Sequence, residues 1–203
     1  MKKEFWLLFL VLVVFPISLT AKIDTVHIPS DNPPSIGNIN ILVQAVIDSG
    51  KLSSTIFELE PHGYYVLSKT ITVPKGEHLA IISREPGITQ QTAPPQIVWT
   101  AKPPPAWPDY IIDTTRKYFF NCFGDLTLKN VWVLCVDELG DRVSSCIIFQ
   151  DDLSDPDGRR CNFEGIILDY FPCPPGAGGT VTVNCKNFRG FFKNTYWKNN
   201  SRC

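Results

Sequence analysis

The stretch DLTLKNVWVLCV, residues 125–136, decides the fold. Within it, Leu128-Lys129-Asn130-Val131 places two apolar residues three positions apart. Strand side chains alternate between faces, so Leu128 and Val131 cannot both point inward along one straight strand. A sharp bend at Lys129-Asn130 resolves the conflict. The second bend residue then needs a left-handed backbone, which glycine reaches freely and asparagine tolerates. The figure recurs as Phe163-Glu164-Gly165-Ile166 and as Phe188-Arg189-Gly190-Phe191. Asn130, Gly165 and Gly190 are therefore the expected corner residues, stacked on one another. Unequal spacing between the copies suits a coiled solenoid whose other corners carry loops of different length. If Val131 and Val133 face inward, Trp132 between them faces outward. One parity conflict stands against the third copy. With Cys161 and Phe163 inward, the counterpart of Cys161 is Lys186, which an apolar interior does not accept. A bulge near Lys186-Asn187 restores the register.

Composition agrees with a chain of many corners. Only 19% of the 203 residues are charged, while proline and glycine number 17 and 13. Hydrophobic residues reach 44%, enough for a sizeable core in one domain. A net charge of −1 gives no global field to attract nucleic acid.

Residues 1–21 read as a separate object. Lys2 and Lys3 precede an apolar run that ends at Phe15-Pro16, and Ser18-Leu19-Thr20-Ala21 supplies small residues for cleavage. This is the pattern of a secretory signal peptide. The run is short of the roughly 20 residues that span a bilayer, so no membrane association is expected after cleavage. All seven cysteines lie beyond it, at 122, 135, 146, 161, 173, 185 and 203. Export permits disulfides, and an odd count leaves at least one thiol over. Their spacing fits no zinc module. Small buried core residues and one or two disulfides are both open readings.

Residues 22–35 form a polar, proline-bearing extended lead-in, and residues 36–203 the folded domain. The first element of that domain is a helix over about 36–49. Ile39, Leu42, Val43, Val46 and Ile47 line one face, and Gly50 supplies the stop. Short strands follow at 55–59, 64–67, 70–73, 78–82 and 96–100, separated by turn signals such as Glu60-Pro61-His62-Gly63 and Pro74-Lys75-Gly76. Later strands fall at 118–123, 143–150 and 180–184, and residues 110–113 are a further return to the coil.

The run ILVQAVIDSG…TIFELEPHGYYVLSKTITVPKGEHLAIISREPG…PPQIVWT resembles the start of right-handed parallel β-helix proteins of the pectin-lyase-like superfamily. In those a short amphipathic helix caps the open end of the first coil, and the corner figure resembles their asparagine-bearing turn. The resemblance covers residues 36–192. It implies an all-β fold, a right-handed parallel β-helix (solenoid) with an N-terminal amphipathic capping helix, and no particular activity. The apolar finish at Phe191, Phe192, Tyr196 and Trp197 lacks a polar cap, so the coil is expected to be incomplete at its C-terminus, with an open end that continues into missing coils or pairs with another chain.

Three constellations are candidates for chemistry. Asp151, Asp152, Asp155 and Asp157 crowd one loop, and Ca²⁺ is the cation their oxygens would hold; a solvated loop neutralised by Arg159 and Arg160 is the simpler reading. The resemblance suggests lyase or hydrolase chemistry, yet the clustered-aspartate and Arg-x-Lys signatures of polygalacturonase-like members do not occur. The only His-Gly is His62-Gly63, in a turn. Asp169 and Arg189 are the nearest counterparts of a lyase carboxylate and base. The aromatics Trp99, Trp107, Trp132, Tyr196 and Trp197 would stack on sugar rings if exposed, Trp132 and Trp107 above all. The leading expectation is a secreted or cell-surface protein that binds extracellular polysaccharide, or serves as a scaffold, without catalysis and without a cofactor. A polysaccharide lyase or glycoside hydrolase with its catalytic residues in coils beyond Cys203 is the alternative, and a structural adhesion protein the third.

Overall fold

The computed structural model describes residues 23–32, 36–84, 93–100, 118–143, 145–151, 158–171 and 180–199. The chain opens with β1 (Asp24–Ile28) and α1 (Asn38–Asp48). It then runs in circuits of three strands. The first circuit is β2 (Thr55–Leu59), β3 (Tyr64–Leu67) and β4 (Ile71–Val73). The second is β5 (His78–Ile82), β6 (Gln96–Trp99) and β7 (Tyr118–Cys122). The third is β8 (Asp125–Lys129), β9 (Trp132–Asp137) and β10 (Cys146–Gln150). The fourth is β11 (Arg160–Glu164), β12 (Ile167–Asp169) and β13 (Val181–Asn184), and β14 (Arg189–Lys193) and β15 (Tyr196–Lys198) begin a fifth.

Each strand pairs with its counterpart one circuit away, so three parallel sheets result. The first has the order β1-β2-β5-β8-β11-β14, the second β3-β6-β9-β12-β15, and the third β4-β7-β10-β13. The arrangement is an all-β stack of three parallel sheets, compatible with a parallel β-helix. The core fills the space between the sheets. Leu126, Leu128, Val133 and Cys135 point into it from β8 and β9, alternating with half-buried outward residues. Trp99, Phe119 and Phe171 form an interior aromatic stack with centroids 5.3 and 5.6 Å apart.

The corner at Asn130 has the expected geometry. Asn130 takes φ 54° and Gly165 takes φ 64°, and the two stack. The Asn130 side chain donates from Nδ2 to the Ser83 carbonyl at 2.9 Å, back toward the second circuit. Its Oδ1 faces Gly165 so closely that a methyl group there would collide with it. The third corner is not where the sequence figure puts it. Gly190 has no left-handed backbone and lies inside β14, opposite Cys161. Glu164 pairs with Lys193, so the residue stacked on Gly165 is Asn194, with φ 50°. The true third copy is Phe192-Lys193-Asn194-Thr195. Its last residue is polar, which hid it. In this register the counterpart of Cys161 is Gly190, so the Lys186 conflict does not arise; Lys186 lies in the turn between β13 and β14, beside a left-handed Asn187 (φ 56°).

Two further differences concern the N-terminal segment. Residues 24–28 are a strand, not only a lead-in. They pair in parallel with β2 from Asp24–Thr55 to Ile28–Leu59. The helix is shorter than expected and lacks a side-chain cap of its own. Asp31 serves instead: its carboxylate accepts from Gly37 N at 3.2 Å and Asn38 N at 3.1 Å, and from Val66 N on β3 at 2.7 Å. The apolar face of α1, led by Ile39 and Val43, joins the core beside β1 and β3. The expected signal peptide and the return at 110–113 lie outside the described residues.

Candidate functional site

Outward residues of the second sheet form rows that run from circuit to circuit. Tyr64 pairs with Gln96, Gln96 with Trp132, Trp132 with Ile167, and Ile167 with Tyr196. Aromatic rings thus occupy every second place in one row: Tyr64, Trp132, Tyr196. Neighbouring strands are about 4.8 Å apart, so successive rings are spaced at about 10 Å. Val131 and Val133 are fully buried on either side of Trp132, which fixes its outward direction. Trp132 is half-buried, and its indole Nε1 has no hydrogen-bond partner. Lys198 Nζ lies 5.2 Å from the ring centroid, a cation–π contact. Lys198 also stands 3.8 Å from the buried Asp169 carboxylate, whose Oδ1 accepts from Asn199 Nδ2 at 3.0 Å. Tyr196, 64% exposed, is the most open ring of the row. At Tyr64, burial raises the phenol pKa, and the carboxylates of Glu138 and Asp137 add to the shift.

The other sequence candidates scatter. Trp99 points inward and is buried. Trp197 also points inward, in register with Leu168, but belongs to the last circuit and is 51% exposed. Trp107 lies outside the described residues. So do Asp152, Asp155 and Asp157; of that group only Asp151 is described, and its Oδ2 accepts from the Lys186 backbone N–H. Among the described residues no three His, Cys, Asp or Glu side chains gather as metal ligands do. Asp169 and Arg189 sit on different sheets, on β12 and β14, and Asp169 is met by Lys198 and Asn199.

Three of the described cysteines are core residues. Cys122, Cys135 and Cys161 are buried free thiols. Burial pushes Cys122 and Cys161 far up and Cys135 up to about 12, so all three stay protonated at neutral pH.

A concavity of about 190 Å³ opens where the turns after the third sheet stack, lined by Lys75, Glu77, His78, Asp125 and Arg160 among others. Sequence reading did not single it out, because its residues come from three separate turns. Its polar groups already hold one another. Asp125 Oδ1 accepts from Arg160 N at 2.8 Å, Glu77 Oε2 accepts from Ser53 N at 3.1 Å, and His78 Nε2 is 2.8 Å from Thr127 Oγ1. Burial lowers the His78 pKa below its ordinary 6.5; the Asp125 carboxylate works against this and the Arg160 guanidinium adds to it. These bonds tie successive circuits together.

Comparison of the chain with protein-family models, with curated proteins and with solved structures returns no match.

Proposed function

We propose that the chain is an exported right-handed parallel β-helix of the pectin-lyase-like kind, capped at its first circuit by α1. On this reading it binds extracellular polysaccharide, without catalysis, along the outer face of the second sheet. The observation that carries the reading is the outward row of Tyr64, Trp132 and Tyr196, one ring on every second strand. A spacing of about 10 Å suits a ligand that repeats every two sugars, each second ring meeting the apolar face of a sugar. Lys198 beside Trp132 favours acidic sugars over neutral ones. Export rests on the basic-apolar-small pattern of residues 1–21.

The test is affinity electrophoresis of the purified chain through gels containing polygalacturonate or a neutral β-glucan, followed by titration calorimetry. Retardation is expected with the acidic polymer. Trp132→Ala and Tyr196→Ala should each weaken binding about tenfold, a loss of about 1.4 kcal/mol, while Leu139→Ala, at an exposed site in the turn after β9, should leave it unchanged. If neither polymer slows the chain, the polysaccharide reading fails and a purely structural role takes its place.

A further inference from the structure

On the outer face of the second sheet, Asp169 of β12 and Lys198 of β15 are register partners on neighbouring parallel strands. Asp169 lies where water does not reach, with an exposure of 0%. Its Oδ1 accepts from Asn199 Nδ2 at 3.0 Å, and its Oδ2 has no hydrogen-bond partner. Lys198 Nζ stands 3.8 Å from Oδ2, beyond hydrogen-bond reach, and 5.2 Å from the centroid of the Trp132 ring on β9. The lysine chain thus crosses β12 beside the carboxyl group, and the ring holds its ammonium from the far side.

The lysine pairs at Glu164 are different. That side chain is 28% exposed, with Lys193 at 2.9 Å and Lys129 at 3.2 Å, so solvent and two ammonium groups satisfy its oxygens. At Asp169 one carboxyl oxygen is buried without a hydrogen bond, which is costly. A single reaction removes that cost. Joining the two side chains as an amide cancels both charges of the pair and expels the unsatisfied oxygen as water. Paired strands hold the two groups together, and well-oriented intramolecular reactions reach effective concentrations on the order of 10⁵ M or more. The burial of Asp169 also keeps water from reversing the step.

We infer that Asp169 and Lys198 form an amide cross-link between β12 and β15. The Lys198 ammonium passes one proton to Oδ2, and the amine so formed attacks Cγ. The nitrogen gives a second proton to the same oxygen, and Oδ2 departs as water. One N–C bond forms, one C–O bond breaks, and no oxidant or reductant takes part. Oδ1 remains as the amide carbonyl, and Asn199 Nδ2 polarises it during the attack. The bond fastens the fifth circuit covalently to the fourth. This inference does not rest on the polysaccharide reading, because the aromatic row is the same with or without the amide. Linked chains lack the Lys198 charge, so they bind without the preference for acidic sugars that the free lysine confers.

Intact mass spectrometry of the reduced full chain, after incubation in its folded state at neutral pH, should find it one water lighter than its sequence. Trypsin does not cut after an acylated lysine, so residues 161–186 and 194–202 should emerge as one branched peptide joined through Asp169 and Lys198. Lys198→Arg keeps the cation and should hold the full mass, with circular dichroism verifying the fold. Lys193→Arg should still lose the water, and the chain unfolded in urea should not. Asn199→Ala should slow the loss at least about tenfold. A folded chain that stays at full mass overturns the inference. So does a water loss confined to linear peptides, the mark of a succinimide at Asp169.

Discussion

Asn130 and Gly165 show how much one corner rests on two residue types. Asn130 holds a left-handed backbone and ties its amide to the Ser83 carbonyl, and Gly165 leaves room for that amide's oxygen. Gly165→Ala forces an alanine into φ near +64° and drives its methyl into Asn130. The left-handed backbone costs about 1–2 kcal/mol, and disturbing the buried Asn130–Ser83 bond about 1 kcal/mol more. A stability loss of about 2–3 kcal/mol is expected in urea denaturation. Gly190 lacks the left-handed backbone, and a methyl there would meet the rings of Phe192 and Phe188, of which Phe192 is exposed and can swing aside. Gly190→Ala should cost under about 1 kcal/mol. Equal losses at the two positions would contradict the corner at Asn194. The sequence figure was sound in chemistry but matched at Phe188 instead of Phe192 in the third copy, because hydrophobic-x-Gly-hydrophobic also describes an ordinary stretch of strand.

At the scale of elements, α1 is fastened more by Asp31 than by its own ends. One carboxylate joins the first helical turn to β3 through three backbone N–H groups. Asp31→Ala strands those donors in a buried place and should lower stability by about 2–4 kcal/mol. Asp31→Asn keeps an acceptor and should lose less. The residue also leaves a pH signature. Burial raises its pKa above 3.8, against the lowering effect of the three N–H groups. From 3.8 up to the raised value the folded chain binds more protons than the unfolded one, so the stability it contributes falls as pH climbs through that window. The stability of wild type minus that of Asp31→Asn should therefore grow as pH is lowered toward 3.8, and a difference flat across that window would count against it. Helix α1 was readable from its apolar face, but Asp31 was not: its partner Val66 is distant in sequence. Strand β1 was equally hidden. Only Ile28 within it is buried, and its place is set by backbone pairing with β2 rather than by side-chain pattern.

Across the described residues, protection should decline from the middle circuits to the last one. Each circuit is held mainly by its neighbours, so β8 and β9, flanked on both sides, share their hydrogen bonds with two partners, while β14 and β15 have one. Hydrogen exchange should find the amides of β8 and β9 protected longest and those of β14 and β15 exchanging at least about a hundredfold faster. Uniform protection would contradict a stack held circuit by circuit. The strand-and-corner class, most strand positions, the helix and the outward direction of Trp132 were legible from the residues alone, because side-chain alternation and left-handed corner residues are local properties. Which residues stack is set by contacts between circuits. They align Tyr64, Trp132 and Tyr196 in one row, put Asp169 and Arg189 on different sheets, and move the third corner to Asn194. Those are matters of register between circuits, set by loops of unequal length and by the summed packing of the interior, and no local pattern encodes them.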